Sequence, residues 1–450
     1  MAQAAKTPVT MLSGFLGSGK TTLLRYLLEN SKEKVACIVN DVASINIDAK
    51  LVRNDRNRAR SDQVNTTADL ADTIELANGC ACCNLQDELF ASFEQIMALA
   101  DKRGEPYARI VLENSGVAEP QNIRDQFNEA MAAGHPLMQR VELDTLVTLV
   151  DSSSFIKDYS TKLPLASRPE LGDGGNMRPV VDLLVEQVEC ADFVLLNKVD
   201  LLPGGVEGEA LEQLSAIVSS LNPLATVIAC EQAKVPLERV FGSSVHKVVA
   251  HLNIEGQHRG AVAAARAAQE PGSSKQHAET RAAQRFGIKS FVYHRRRPFH
   301  LKRLQDTVLR WLPVTHNKAV EPAAACEGDS PIKTVMRSKG FMWLSNKHTT
   351  AFYWSHAGQH FEIREEGDWW AAVPDEEWPD AASGQRGIIL ADFQPSVGDR
   401  RQEIVFIGAG MDEDKICAQL DSALLTDEEL AVYNTKWSSL PDPEHEGAPM

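Results

Sequence analysis

The feature that most constrains this chain lies close to its N-terminus. An apolar run at residues 9–13 predicts a buried strand, and a leucine-rich run at residues 23–28 predicts a helix. Between them, residues 14–22 read GFLGSGKTT and fit the pattern G-x-x-x-x-G-K-[ST]. A strand, a glycine-rich turn and a helix in this order are the setting that a phosphate-binding P-loop requires.

The residue types of this loop suit a nucleoside triphosphate. Glycines allow a tight turn whose backbone N–H groups point at phosphate oxygens, with the positive end of the helix dipole behind them. Lys20 is expected to reach the β- and γ-phosphates, and the Thr21 hydroxyl to bind Mg²⁺. The predicted nucleotide contacts in the loop are Gly14, Gly17, Ser18, Gly19, Lys20, Thr21 and Thr22.

Length and charge narrow the class of protein. A chain of 450 residues predicts two or three domains. The net charge of -16 argues against partners that are rich in phosphate, so we expect neither nucleic acid nor a membrane surface. We find no apolar run long enough for a spanning helix and, because the first strand starts so early, expect no cleaved targeting peptide. Eight cysteines are sparse for this length and indicate a reducing, cytoplasmic compartment.

The second predicted strand covers residues 34–40, and a polar segment follows it. This segment covers residues 40–48, where a nucleotide-sensing loop would lie. Asp41 and Asp48 are candidate contacts to magnesium or to another metal. A capping or turn carboxylate is an equal alternative for each of them.

Three cysteines stand within four positions: Cys80, Cys82 and Cys83. Thiols this close in sequence rarely meet the geometry for disulfides among themselves, but they can share a soft or borderline metal ion. Three sulfurs leave a fourth tetrahedral position for water, for a carboxylate such as Asp41, or for a ligand of a receiving protein. A redox thiol cluster and buried structural cysteines are the alternatives.

Two later strands end in further nucleotide motifs. Residues 107–112 predict a strand that ends at Glu113, and Gly116 follows three residues later, as in a Walker B and switch II element. Glu113 would hold Mg²⁺ or its water shell, and the Gly116 N–H would sense the γ-phosphate.

The guanine-reading motif N-K-x-D follows the strand predicted at residues 191–196, as Asn197, Lys198 and Asp200. A carboxylate at Asp200 can accept hydrogen bonds from guanine N1–H and N2–H₂, which favours GTP over ATP. Strands and helices alternate up to about residue 250. We therefore expect an α/β fold, with a doubly wound, mainly parallel P-loop GTPase domain followed by a smaller α+β domain.

The composition changes after that domain. The predicted organisation is a GTPase domain over 1–250, a flexible and partly helical linker over 251–286, an α+β domain over 287–432, and an acidic tail that contains proline over 433–450. The scattered linker histidines, His258 among them, are expected to be solvated. Most tryptophans fall in the second domain, where we expect them in the core.

With these motifs in this order, the chain resembles the CobW-type metallochaperone GTPases. The family hallmark G-C-x-C-C is matched by residues 79–83, and residues 337–344 and 420–429 are similar to stretches of its C-terminal domain. One departure concerns the segment N-E-F-G-E of many members, where this chain has Asn40-Asp41-Val42-Ala43-Ser44. The first acid is kept as Asp41 and the second is replaced by Ser44, and a docking motif of some zinc-transferring members is not evident.

The resemblance implies a GTPase that converts GTP to GDP and phosphate and loads a divalent metal, most simply zinc, onto a client metalloprotein. GTP or GDP, Mg²⁺ and Zn²⁺ are the implied cofactors, with Co²⁺ as an alternative, and a homodimer stays open. Lys20, Thr21 and Glu113 would act in hydrolysis, and Cys80, Cys82, Cys83 and Asp41 would hold the metal. The rival hypotheses are a redox-sensing GTPase, a cobalt- or iron-handling GTPase, and a GTP-binding scaffold without significant turnover.

Overall fold

The computed structural model describes residues 6–39, 71–75, 85–160, 179–242, 252–269, 285–313, 328–379 and 385–437. Contacts divide the chain into two compact units, Met1–Gln257 and His258–Met450. Each unit is described by itself below. The predicted boundaries at residues 250 and 286 stay predictions.

A parallel sheet forms the centre of the first unit. Its strands are β1 (Thr7–Ser13), β2 (Val35–Val39), β3 (Ala71–Glu75), β4 (Arg109–Glu113), β5 (Val141–Asp151), β6 (Phe193–Asn197) and β7 (Thr226–Ala229). The order is β3-β2-β4-β1-β5-β6-β7, and neighbouring strands pair in parallel. Every residue of β2, β4 and β6 is buried, as expected for strands covered on both faces.

Helices cover both faces of this sheet. They are α1 (Lys20–Asn30), α2 (Leu85–Arg103), α3 (Pro120–Ala132), α4 (Phe155–Tyr159), α5 (Val180–Glu189), α6 (Glu209–Leu221) and α7 (Leu237–Phe241). Leu24 of α1 shares one buried core cluster with Val111 of β4, and Phe93 of α2 and Phe127 of α3 share a second cluster with Leu112. The predicted doubly wound α/β fold is confirmed. Because parallel strands end at the same edge, the loops after β1, β4 and β6 converge there.

The second unit contains an antiparallel sheet. Its strands are β8 (Ile288–Arg295), β9 (Val335–Leu344), β10 (Lys347–Ala357), β11 (His360–Asp368) and β12 (Gln402–Ala409), in the order β11-β10-β9-β12-β8. The remaining helices are α8 (Ile254–Gln269), α9 (Leu301–Thr307), α10 (Gln385–Leu390), α11 (Glu413–Asp421) and α12 (Asp427–Val432). Trp354, Phe352 and Phe406 lie in the core of this unit, and Trp343 and Trp369 are buried too, which confirms the core interpretation for these tryptophans.

Several details differ from the sequence prediction. The helix predicted over 301–312 ends at Thr307 and continues as a 3₁₀ turn over Leu309–Trp311. Strands β3 and β11 were not predicted, because ADTIE and HFEIREEGD carry too many charged residues to read as buried strands. Their pairing with neighbouring strands decides the structure instead.

The interpretation of His258 as a solvated linker residue is wrong. Its side chain on α8 is buried, with its ring edge-on to Phe341 at 5.2 Å between centroids. Its Nε2 lies 3.5 Å from a carboxylate oxygen of Glu403. Helix α8 therefore belongs in part to the packing of the second unit.

None of the helices in the described ranges combines the length and the apolar character needed to cross a bilayer.

Candidate nucleotide-binding site

The loop between β1 and α1 has the backbone of a phosphate-binding turn. Gly14, Gly17 and Gly19 have φ values of 133°, 73° and 110°, a region that favours glycine. A Cβ at Gly14 would lie 2.3 Å from the Leu149 carbonyl oxygen, and one at Gly19 would lie 2.4 Å from Asn197 Nδ2. Both positions therefore require glycine for space as well as for backbone conformation.

Lys20 starts α1 and is directed into this loop. Its Nζ donates hydrogen bonds to the carbonyl oxygens of Gly14 at 2.8 Å and Phe15 at 3.2 Å. The side chain is 8% exposed, so the positive charge lies inside the loop rather than in bulk solvent. A buried ammonium at the N-terminus of a helix favours a bound anion.

Thr21 and Glu113 meet although 92 residues separate them. The Thr21 hydroxyl donates to Glu113 Oε1 at 2.7 Å, which joins the first turn of α1 to the end of β4. Glu113 is 3% exposed. A hydroxyl and a carboxylate are hard oxygen donors of the kind that Mg²⁺ takes beside a substrate phosphate, so this pair fits a magnesium ion.

Gly116 lies against the tip of the glycine-rich loop. A Cβ at this position would come within 2.5 Å of the Leu16 side chain, so any other residue would push the two loops apart. The carbonyl oxygen of Gly116 accepts a hydrogen bond from Gln187 Nε2 at 3.2 Å. The predicted γ-phosphate sensor is thus in contact with the phosphate loop.

Asn197 connects the predicted base-binding motif to the phosphate loop. Its Nδ2 donates to the Ser18 carbonyl oxygen at 2.8 Å, and its Oδ1 accepts from the Ala233 N–H at 2.8 Å. Asp200 lies in the 3₁₀ turn Val199–Leu201 with its side chain exposed. An exposed carboxylate at this edge of the parallel sheet is accessible to the nucleobase of a bound nucleotide.

Lys198 adopts a left-handed backbone conformation with a φ of 61°. Its Nζ lies 2.6 Å from Asp151 Oδ2, at the carboxyl end of β5. Burial alone would raise the pKa of Asp151, but hydrogen bonds from Lys198 and Ser153 hold that pKa below its ordinary value. Asp151 therefore stays ionised and fixes Lys198.

Sequence reasoning assigned no role to Asp151, Ala233 or Gln187. An acid at the end of a buried strand was a visible signal for Asp151. Ala233 carries no such signal, although its φ of 55° marks a constrained backbone in the structure. Gln187 resembles any polar residue of a helix until its partners are known.

The residues predicted to bind the transferred metal, Asp41, Cys80, Cys82 and Cys83, lie outside the described residues, as does Asp48. Four other cysteines are described: Cys37, Cys190 and Cys230 are buried, and Cys417 is half-buried. Burial raises the pKa of Cys190 and of Cys230 to about 12 and that of Cys417 to about 11. These three thiols are poor sources of thiolate.

A cavity of about 640 Å³ in the second unit is lined by Arg295, Arg296, Arg297 and Arg303. Protein groups engage these guanidinium groups: Asp421 accepts from Arg295, and Glu429 accepts from Arg303 through both oxygens. The cavity contains none of the predicted site residues. We regard it as part of the packing of α11 and α12.

The glycine loop, the Thr21–Glu113 pair and the Asn197 contacts together define a P-loop nucleotide-binding protein. The CobW/HypB/UreG nucleotide-binding domain matches residues 8–229, and the cobalamin synthesis protein CobW C-terminal domain matches residues 288–424. The chain belongs to the CobW family, to which both of these domains point. The predicted class, a GTPase with a CobW-type C-terminal domain, is confirmed.

Two relatives that match by sequence agree with this assignment. Zinc-regulated GTPase metalloprotein activator 1 of Dictyostelium discoideum is 32% identical over 448 residues, 97% of this chain and 84% of that protein. Zinc chaperone CobW of Pseudomonas aeruginosa is 30% identical over 262 residues, 57% of this chain and 64% of that protein. Among solved structures, Zn(II)-bound YjiA GTPase from E. coli is 20% identical, with 93% of this chain and 99% of that chain covered and a TM-score of 0.34.

Proposed function

We propose that this protein hydrolyses GTP and uses the state of the nucleotide to control how firmly it holds a divalent metal ion, which it passes to a client protein. The observation that carries the proposal is the 2.7 Å hydrogen bond between Thr21 and Glu113. It links the phosphate loop to the segment that starts at β4 and contains Gly116. A change at the terminal phosphate can therefore reach other loops at the same edge.

Each predicted residue takes one role in this proposal. Lys20 and the amides of the loop stabilise charge on the β- and γ-phosphates, and Thr21 and Glu113 would hold Mg²⁺, which would supply further positive charge beside the phosphates. The Gly116 N–H contacts the γ-phosphate. Asn197, Lys198 and Asp200 form the guanine side, with Lys198 fixed by Asp151.

The cysteine motif is joined to this edge by its flanking elements. Residues 76–84 connect the end of β3 at Glu75 to the start of α2 at Leu85. Glu75 pairs with Val39, which pairs in turn with Glu113. The connection thus starts two strands away from the acid that binds Thr21, which supports coupling between the nucleotide and the cysteines.

We assign the transferred metal to Cys80, Cys82 and Cys83, with Asp41 as a candidate fourth ligand. Thiolates with a carboxylate suit zinc, and a mixed sulfur and oxygen site also suits Co²⁺. The names of the relatives, a zinc-regulated activator and a zinc chaperone, favour zinc. We infer that GTP hydrolysis loosens this site and allows the ion to move to the client.

The test is a zinc titration against a competing chelator, with the protein loaded with GDP or with a non-hydrolysable GTP analogue. We expect the triphosphate form to bind zinc about tenfold more tightly, the range of ordinary allosteric coupling. Cys82→Ser should lose more than about tenfold of this affinity. Cys417→Ser is the matched control, since this half-buried thiol belongs to the second unit.

Equal zinc affinities in the two nucleotide forms would contradict the proposal. So would a Cys82→Ser variant that binds zinc as well as the parent. Loss of free thiols after mild peroxide, without any zinc binding, would favour the redox-sensing alternative.

A further inference from the structure

Gln187 is a buried residue of α5 that belongs to none of the sequence motifs. Its side chain is 1% exposed. Its Nε2 donates to the carbonyl oxygens of Gly116 at 3.2 Å and Ala118 at 3.4 Å. One amide group therefore holds two carbonyls of the loop that begins after β4.

The backbone of Gln187 is itself anchored to the sheet. Its carbonyl oxygen accepts a hydrogen bond from Thr148 Oγ1 on β5 at 2.6 Å. The preceding residue, Glu186, accepts from the Gln121 N–H at 3.1 Å, in the first turn of α3. Helix α5 thus holds the segment from Gly116 to Gln121 near both ends.

The phosphate loop holds the same segment from the other side. Gly116 packs against Leu16, with no space for a side chain at Gly116. Leu16, Phe15 and Gln187 also line a common cavity of about 20 Å³, room for about one water molecule. Gly116 is therefore placed between the tip of the phosphate loop and the Gln187 amide, and its backbone has little freedom to turn.

We propose that Gln187 is a positioning residue that holds the Gly116 loop in the orientation that recognises a terminal phosphate. The inference rests on the proposed function, in which the Gly116 N–H contacts the γ-phosphate. With Gln187 in place, the loop needs little rearrangement to bind a nucleoside triphosphate. Without it, the loop must be ordered by the nucleotide, and binding of the triphosphate weakens while binding of the diphosphate does not.

A purely structural role would give a different result, and Asn222 offers a matched example. This buried amide donates through Nδ2 to the carbonyl oxygens of Val188, Glu189 and Ala191, at the C-terminal end of the same helix. Its removal also takes a hydrogen-bond donor away from these carbonyls, none of which belongs to the Gly116 loop. Asn222 therefore controls for stability.

The experiment compares Gln187→Met, Gln187→Glu and Asn222→Asp in the full chain. The ratio of dissociation constants for GDP and a non-hydrolysable GTP analogue is measured, together with kcat, KM and the melting temperature. We expect both Gln187 variants to lose about tenfold of the preference for the triphosphate, the equivalent of two hydrogen bonds. Their GDP affinity should stay within about twofold of the parent. The Asn222→Asp variant should have a lower melting temperature than the parent but the same ratio of dissociation constants.

An unchanged ratio in folded Gln187→Met or Gln187→Glu would overturn the inference, and so would an equal change in Asn222→Asp. These outcomes do not depend on zinc. If the ratio of dissociation constants changes as expected while zinc affinity is the same in both nucleotide forms, the positioning role of Gln187 is supported. Nucleotide control of metal binding is then contradicted. If the parent itself does not distinguish the two nucleotides, both fail.

Discussion

Two clusters of buried polar side chains, one in each unit, have different surroundings. Four such side chains follow or end strands at the carboxyl edge of the parallel sheet, or lie in its first loop: Ser13, Ser18, Asn114 and Ser152. Their hydroxyls and both amide atoms of Asn114 have no hydrogen-bond partner in the part of the chain that the structure describes. Groups of this kind at one edge are available to a ligand and its waters.

The second unit instead surrounds a buried acid with basic groups of its own. Glu403 on β12 is contacted by Arg401 at 3.1 Å, Arg266 at 3.2 Å, and His258 and His294 at 3.5 Å. Burial alone would raise the pKa of Glu403, but the two histidines and Arg401 hold that pKa well below its usual range. Charged groups paired in this way stabilise a fold, whereas the nucleotide-binding domain match lies at residues 8–229, in the first unit.

The largest expected effect is on GTP hydrolysis at the carboxyl edge of the parallel sheet. Lys20→Ala removes the buried ammonium from the phosphate loop, and we expect kcat/KM for GTP to fall by about 10³-fold. The melting temperature without nucleotide should change little. If Lys20→Ala lost activity only because it unfolds, the result would contradict a functional rather than structural role for the polar groups at this edge.

A smaller effect is expected in the second unit. Glu403→Gln leaves Arg401 and Arg266 without their shared carboxylate, and should lower the free energy of unfolding by about 3 kcal/mol. Tryptophan fluorescence in urea measures this effect in the second unit, because the first tryptophan of the sequence is Trp311. Glu365→Gln, on an exposed side chain of β11, is the control and should stay within about 0.5 kcal/mol. The rate of GTP hydrolysis should be the same in both variants. A lower rate in Glu403→Gln alone would contradict a purely structural role for Glu403.

The smallest effect concerns pH. The hydrogen bond from Arg303 lowers the pKa of Glu429 from its ordinary value of 4.5 to about 2. A lowered folded-state pKa stabilises the protein above pH 4.5, and this contribution is lost as the pH falls towards 2. Glu429→Gln should therefore cost about 1 kcal/mol at pH 7 and progressively less below pH 4.5.

The control for this measurement is Glu428→Gln, on the exposed neighbouring side chain. Urea titrations from pH 7 to pH 3 follow the difference between each variant and the parent. A Glu429→Gln difference that grows with acidity would show that the sign of this contribution is wrong.

Local sequence was sufficient where the backbone itself creates the site. The glycines of residues 14–19 require their conformation whatever surrounds them, so the phosphate loop could be predicted. The strand endings at Glu113 and Asn197 could be predicted because a buried apolar run stops at a polar residue. The meeting of Thr21 with Glu113 then follows from β1 and β4 being neighbours.

Other features depend on contacts between distant residues and leave no local pattern. Gln187 reaches Gly116 across 71 positions, and Glu403 is 145 positions from His258 (403 − 258). A polar residue on a helix has the same sequence signature whether it is solvated or buried. For this reason sequence analysis placed His258 in solvent and gave Gln187 no role.

The most direct test of nucleotide-gated metal release is a stopped-flow experiment. Zinc-loaded protein with GTP and Mg²⁺ is mixed with a zinc-binding fluorophore, while a phosphate sensor follows hydrolysis in parallel. We predict that zinc and phosphate appear with the same rate constant, and that a non-hydrolysable GTP analogue retains the zinc. Release of zinc at the same rate with the analogue as with GTP would contradict the account.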